Sequence, residues 1–174
     1  SFQFIILWCK RSSMNTTDKP ASHRLITGTA SITLGAVPDA QSIQTLKQQG
    51  ITHVITLQTS SEHAEQVERL VKDAGMHWRW FPFTETLDST ETGLELLRQY
   101  IQELGKLTTE GKQLYFHCND ARNRCMLLIF ALLHHRRIPS SSAYPMLHDL
   151  SSGSANRLSR AELQWAASLG LSVH

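Results

Sequence analysis

The chain has 174 residues, 41% of them hydrophobic and 18% charged, with a formal net charge of +2. That is enough chain for one domain with its own core, and too apolar a chain for a disordered segment. So small a charge excess, with no long Lys/Arg run, excludes a nucleic-acid binder built on a basic surface. The densest basic patch, His134–Arg137, reads as cations at a helix C-terminus.

Three cysteines (Cys9, Cys118 and Cys125) form neither a disulfide framework nor a CxxC metal pair. They point to a reducing compartment, the cytoplasm. Nine histidines stand in no HExxH-like cluster, so neither a metal nor another cofactor is expected. The first residues form an apolar run followed by Lys10 and Arg11. The run is too short for a helix that spans a bilayer, and its charges lie on the wrong side for a signal peptide. Met14 reads as a natural start, with the residues before it as an appended arm. The arm is expected to pack on this domain or on a second copy, so self-association through Phe2–Trp8 is an expectation. With the polar, proline-bearing stretch "MNTTDKPASH" it makes an N-terminal segment over 1–23, ahead of one domain over 24–174.

From Leu25 onward strand-like and helix-like segments alternate. "SITLGAV" reads as a short strand. "PDAQSIQTLKQQG" carries apolar residues at helical spacing and stops at a glycine. "ITHVITL" is a β-branched buried strand, Ile51–Leu57. "SSEHAEQVERLVKDAG" predicts a helix capped by Ser60 or Ser61, again stopped by a glycine. "MHWRWFPF" alternates and is aromatic, so a strand ends at Pro82. "STETGLELLRQYIQELGKL" predicts a helix capped by Ser89 or Thr90. The strand "QLYFH" and the helix "CMLLIFALLHHRR" come next. Two more helices follow, "SSSAYPMLHDL" after Pro139 and "SRAELQWAASL" capped by Ser159. Repeated β-α units with crossover helices predict an α/β fold, a three-layer sandwich around a mainly parallel sheet. Trp78, Trp80 and Trp165 are assigned to core packing, with a surface-facing Trp80 or Phe83 beside a substrate aromatic as the alternative.

In such sheets ligands sit beyond the carboxyl ends of the strands. "QLYFH" ends at His117, and the next helix is expected to begin near Arg124 or Cys125. The loop between them lies at a helix N-terminus, where unpaired N–H groups and the dipole favour an anion. The same field favours a thiolate, so Cys118 is expected to ionise easily. Arg124, six residues on, can offer a two-pronged contact to phosphate oxygens. Nucleophile, amide nest and guanidinium together fit phosphoryl transfer without a metal. Core burial of an inert thiol is the alternative for Cys118.

"HCNDARNR" matches the H-C-x5-R signature of the cysteine-dependent protein tyrosine phosphatases, and the chain resembles their compact dual-specificity branch. "GAVPDAQSIQTLKQQGITHVITLQ" is similar to that branch's opening, and the order of elements agrees over roughly residues 25 to 170. The resemblance implies that Cys118 attacks phosphorus and that Arg124 binds the phosphate. It implies a phosphate cradle of Asn119, Asp120, Ala121, Arg122, Asn123 and Arg124. His117 would hold the loop and support the thiolate. A general acid is expected before the helix that starts near Ser89. Counting from Pro82 puts Glu85 in that place. Asp88 has the usual residue type three positions later, and both stay open.

Three positions depart from the family. Ala121 stands where glycine is usual, Asp120 brings a carboxylate to the loop, and Cys125 replaces the usual Ser or Thr. Cys125 is either a small packing residue or a redox partner for Cys118. Asn156 and Arg157 are weak candidates for substrate contact. The implied partner is a phosphorylated protein or a small phosphate ester, with no nucleic acid and no membrane span. A phosphate-binding module without turnover and a rhodanese-type sulfurtransferase are the competing expectations.

Overall fold

The computed structural model describes residues 24–84, 90–118 and 122–174. Its strands are β1 (Arg24–Thr27), β2 (Ala30–Leu34), β3 (His53–Thr56), β4 (His77–Trp80) and β5 (Gln113–His117). Its helices are α1 (Ala40–Gln48), α2 (Ala64–Asp73), α3 (Glu91–Thr109), α4 (Asn123–His135), α5 (Ser140–Asn156) and α6 (Arg160–Leu171). The sheet runs β1-β2-β5-β3-β4, with only β1 antiparallel to its neighbour. This is the expected sandwich, with β5 in the middle.

The layers follow from which residues each strand turns to which side. On one face Val54 and Tyr115 meet Ile43 and Leu46 of α1 and Val67 and Val71 of α2. On the other, Ile32, Ile55, Leu57, Leu114 and Phe116 meet α3, α4 and the last two helices. Strands buried on both sides read as unbroken apolar runs, which is why "ITHVITL" and "QLYFH" stood out. Helix α4 is buried from Arg124 to His134 and is the central helix of the larger layer. An all-round apolar helix needs such a place.

Three expectations change. An edge strand, β1, precedes the "SITLGAV" strand and joins it through Gly28, whose φ is 62°. The helix expected from Ser60 breaks into a 3-10 turn, Ser60–Glu62, and then α2, with His63 left-handed between them at φ 69°. Thr59, not Ser60 or Ser61, precedes the turn, and the Glu62 carboxylate accepts from its backbone N–H at 3.0 Å. Finally, Trp78 and Trp165 are half-buried and pack against the two cores as expected, but Trp80 is 37% exposed. An indole N–H needs an acceptor, and Trp80 finds the Gln58 carbonyl at 2.7 Å on the sheet's edge.

The expected caps at Thr90 and Ser159 are present, each accepting a backbone N–H of the first turn. Phe2–Trp8 and the rest of residues 1–23 lie outside the described residues. No helix among the described residues is long and apolar enough to cross a membrane.

Candidate active site

The C-terminal ends of β3, β4 and β5 converge on the start of α4. Cys118 follows β5 directly and is 1% exposed. Arg124 stands on the first turn of α4, whose leading N–H groups have no helical partner. Arg122 precedes the helix in the left-handed region at φ 60°, a conformation that costs an L-residue about 1 kcal/mol. Asn123 is the first helical residue, half-buried. The loop residues Asn119, Asp120 and Ala121 lie outside the described residues, as do Glu85 and Asp88.

Arg124 is 2% exposed, so its charge must be met inside the protein. Glu62 does this with both oxygens. Nη1 donates to Oε1 at 2.8 Å and Nη2 to Oε2 at 2.7 Å. Nη1 also reaches the Phe83 carbonyl at 2.9 Å and the Leu57 carbonyl at 3.3 Å. One guanidinium thus ties α4 to the segments that follow β3 and β4. The bond to Arg124 holds the Glu62 carboxyl down at about 2, so it stays charged. Sequence reasoning missed Glu62 and read it as part of a helix start. No local signal pairs the two, since Glu62 and Arg124 stand 62 residues apart and meet only through the sheet.

His117 is fully buried at the end of β5. Its Cα pairs with Thr56 across β3, and the Thr56 hydroxyl lies 2.7 Å from Nε2. The Trp78 indole N–H donates to the same hydroxyl at 2.8 Å. Burial first, and then the Arg124 charge, push the imidazole down to about 4, so it is neutral at pH 7.

Cys125 lies on the first turn of α4, fully buried, with its thiol in hydrogen-bonding contact with Cys118. Burial pushes the Cys125 thiol well up, and the contact with Cys118 adds to this. Cys125 is therefore a protonated neighbour of Cys118, and no disulfide joins the two. Asn156 and Arg157 end α5, exposed to solvent.

Beside Arg122 lies a cavity of about 440 Å³, lined by Thr33, Gly35, Ala36, Ser42 and Tyr115 among others. Tyr115 donates to the Ala36 carbonyl at 2.6 Å, and a Cβ at Gly35 would strike its ring. Glycine is what lets the ring lie against the chain there. No group of three or more His, Cys, Asp or Glu among the described residues is placed to hold a metal ion.

No family model matches this sequence, and no curated protein matches it. Solved structures do match. The kinase associated phosphatase, with its catalytic cysteine substituted by serine, aligns at TM-score 0.62 and 16% identity over 79% of this chain and 83% of that one. The core catalytic domain of a PP-IP phosphatase from S. cerevisiae, in complex with citrate, aligns at 0.60 and 11% over 84% and 85%. TpbA of P. aeruginosa, a cysteine-to-serine variant in complex with phosphotyrosine, aligns at 0.53 and 15% over 81% and 80%. The fold is that of the compact cysteine-dependent phosphatases.

Proposed function

We propose that the chain hydrolyses phosphate monoesters through a cysteinyl-phosphate intermediate, as a phosphotyrosine or dual-specificity phosphatase. The observation that carries this reading is Arg124, buried at the N-terminus of α4 six residues after Cys118 and held in a fixed plane by Glu62. A positioned guanidinium beside a helix N-terminus suits a transferring phosphoryl group, whose charge it meets with two parallel N–H donors.

In the first step the Cys118 thiolate attacks phosphorus. A sulfur–phosphorus bond forms and the ester oxygen–phosphorus bond breaks, with a proton passing to the leaving oxygen. Glu85 or Asp88 supplies that proton. Both stand just after Thr84, and the chain ahead of them is anchored by bonds from Arg124 to the Phe83 carbonyl and from Tyr100 to the Pro82 carbonyl at 2.9 Å. In the second step water attacks phosphorus, the same carboxylate takes its proton, and Cys118 leaves as thiolate. The loop residues 119 to 123 would wrap the phosphate with their N–H groups, and Arg124 would hold two of its oxygens.

A binding module that holds phosphate without turnover is the second reading. One observation favours it. Cys125, a weak donor with its thiol pushed well up, stands where a hydroxyl would assist the leaving thiolate.

Para-nitrophenyl phosphate separates the two. Turnover by the wild type that vanishes in Cys118→Ser supports the phosphatase. Phosphate binding in both proteins with turnover in neither supports the module. Thiosulfate:cyanide exchange in place of either would point to a sulfurtransferase. Under the first reading Arg124→Lys loses at least about a hundredfold in kcat/KM, because a point charge cannot replace the two-pronged contact. The substrate is a phosphorylated protein or a small ester.

A further inference from the structure

The contacts around His117 have a direction. An indole N–H can only donate, so the bond between Trp78 and Thr56 runs one way. The Thr56 hydroxyl is fully buried and carries a single hydrogen. Its remaining contact is His117 Nε2 at 2.7 Å. The other ring nitrogen, Nδ1, is buried and meets no hydrogen-bond partner among the described residues.

These facts rank the protonation states of the ring. If Nδ1 carries the proton, Trp78 donates to Thr56, Thr56 donates to Nε2, and a single N–H is left unmatched. If Nε2 carries it, Thr56 must accept twice. Its own hydrogen is then stranded in a dry interior, and the Nδ1 lone pair is stranded as well. The doubly protonated ring strands two hydrogens and adds a charge that Arg124, the charged group on α4 nearest this ring, opposes. Tyr115 and Cys125, the buried titratable groups beside it, have their pKa values raised by burial and stay neutral, so they add no charge that would favour a doubly protonated ring. Each stranded buried group is costly, so the first arrangement wins.

We propose that Trp78 and Thr56 are positioning residues for Cys118, locking His117 as a neutral imidazole with its proton on Nδ1. The residue just before the nucleophile then offers a buried donor and never a lone pair. A donor there favours the Cys118 thiolate, and a lone pair opposes it. The role in turnover rests on the phosphatase reading, but the lock itself does not.

The test reads Cys118 directly. Alkylation of Cys118 by iodoacetamide is followed against pH by peptide mass, in the wild type and in Trp78→Phe, Thr56→Val and Thr56→Ser. Trp78→Phe keeps an aromatic ring, a smaller one, and loses the N–H. Thr56→Val keeps the shape and loses the hydroxyl. In both, the alkylation midpoint moves to higher pH, and the rate near pH 5.5 falls roughly threefold to tenfold, as expected for one lost hydrogen bond. Thr56→Ser tracks the wild type. An unchanged midpoint in both Trp78→Phe and Thr56→Val overturns the proposal. A second measurement needs no variant. Nitrogen-15 shifts of the labelled histidines place the His117 proton on Nδ1, and a proton found on Nε2 also overturns it. A protein that alkylates as described but turns over no phosphate ester supports the lock and sinks the phosphatase instead.

Discussion

Glu62 and Arg124 form a two-pronged ion pair, at 2.8 and 2.7 Å, between a turn after β3 and the first turn of α4. The two side chains are unequally buried: 32% of Glu62 is exposed but only 2% of Arg124. A guanidinium so enclosed has no water to fall back on, so removing the carboxylate leaves a buried charge uncompensated.

Glu62→Ala should therefore lower stability by roughly 2–3 kcal/mol, below the figure for a wholly buried pair because the carboxylate is partly solvated. It should also reduce kcat/KM toward a phosphate ester at least about tenfold, since Arg124 loses its fixed plane. Glu62→Gln retains one acceptor oxygen and should fall between. Urea denaturation and steady-state kinetics check both. A Glu62→Ala protein with wild-type stability would show that Arg124 finds another partner.

Acid should weaken the fold well before the carboxylates protonate. His117 has its pKa lowered to about 4, against 6.5 in the unfolded chain, through burial and Arg124. The sign follows from proton binding. Below pH 6.5 the unfolded state takes up a proton that the folded state refuses, so stability present above 6.5 is lost as pH falls toward 4. At pH 5 the loss from this one residue is about 2 kcal/mol. His53 adds in the same sense, being lowered to about 4 by burial and His77. Glu62 adds only below 4.5, where the unfolded carboxyl protonates and the folded one, held at about 2, does not. Urea midpoints between pH 7 and 5 should slope downward in the wild type, and His117→Gln should flatten part of that slope. Identical slopes would mean that the ring takes up its proton inside the fold.

These two sites also mark how far the sequence could be read. The placement of Cys118 after a strand and Arg124 on a helix start was legible because it is local: a strand end, a loop and a helix start within a dozen residues. Strands buried on both faces and helices with clear apolar spacing were legible for the same reason. What failed involved partners far away in sequence. "TSSEH" has the composition of a helix start; Thr59 and Glu62 close it locally into a 3-10 turn, and nothing local shows that Glu62 also meets Arg124, 62 residues on. Thr56 is one residue of a buried strand in the sequence, and its contact with His117 exists only because β5 lies beside it in register. β1 is a short edge strand whose burial merely alternates, too weak a pattern to call. Trp80 left the core because hydrophobicity ranks the ring and ignores the N–H, which finds the Gln58 carbonyl at the sheet's edge.

Helix α6 packs on α4 through a backbone approach that tolerates no side chain. A Cβ at Gly170 would fall on the carbonyl oxygen of Ala131 and touch His134 at 3.0 Å. Backbone on a buried helix cannot step aside as a side chain tip can. Gly170→Ala should cost roughly 1–3 kcal/mol, despite alanine's better helix propensity. A thermal melt checks the direction, and a stabilised protein would mean that α6 can shift along α4 at no cost.

Cys125 gives the sharpest test of the chemistry. Its thiol contacts Cys118 from the first turn of α4, and burial keeps it protonated. A thiol is a weak donor, so it does little for a departing thiolate; a hydroxyl at the same point donates more strongly. The second step, in which Cys118 leaves phosphorus, should therefore be the slow one in the wild type. Rapid quenching during turnover of para-nitrophenyl phosphate should then trap most of the protein as the cysteinyl-phosphate. Cys125→Ser should raise kcat roughly threefold to tenfold, the worth of one better hydrogen bond to a charged group, and lower the trapped fraction. Cys125→Ala should do the reverse. If Cys125→Ser leaves both quantities unchanged, the thiol faces Cys118 without acting on it, and the slow step lies with the carboxyl acid or with product release.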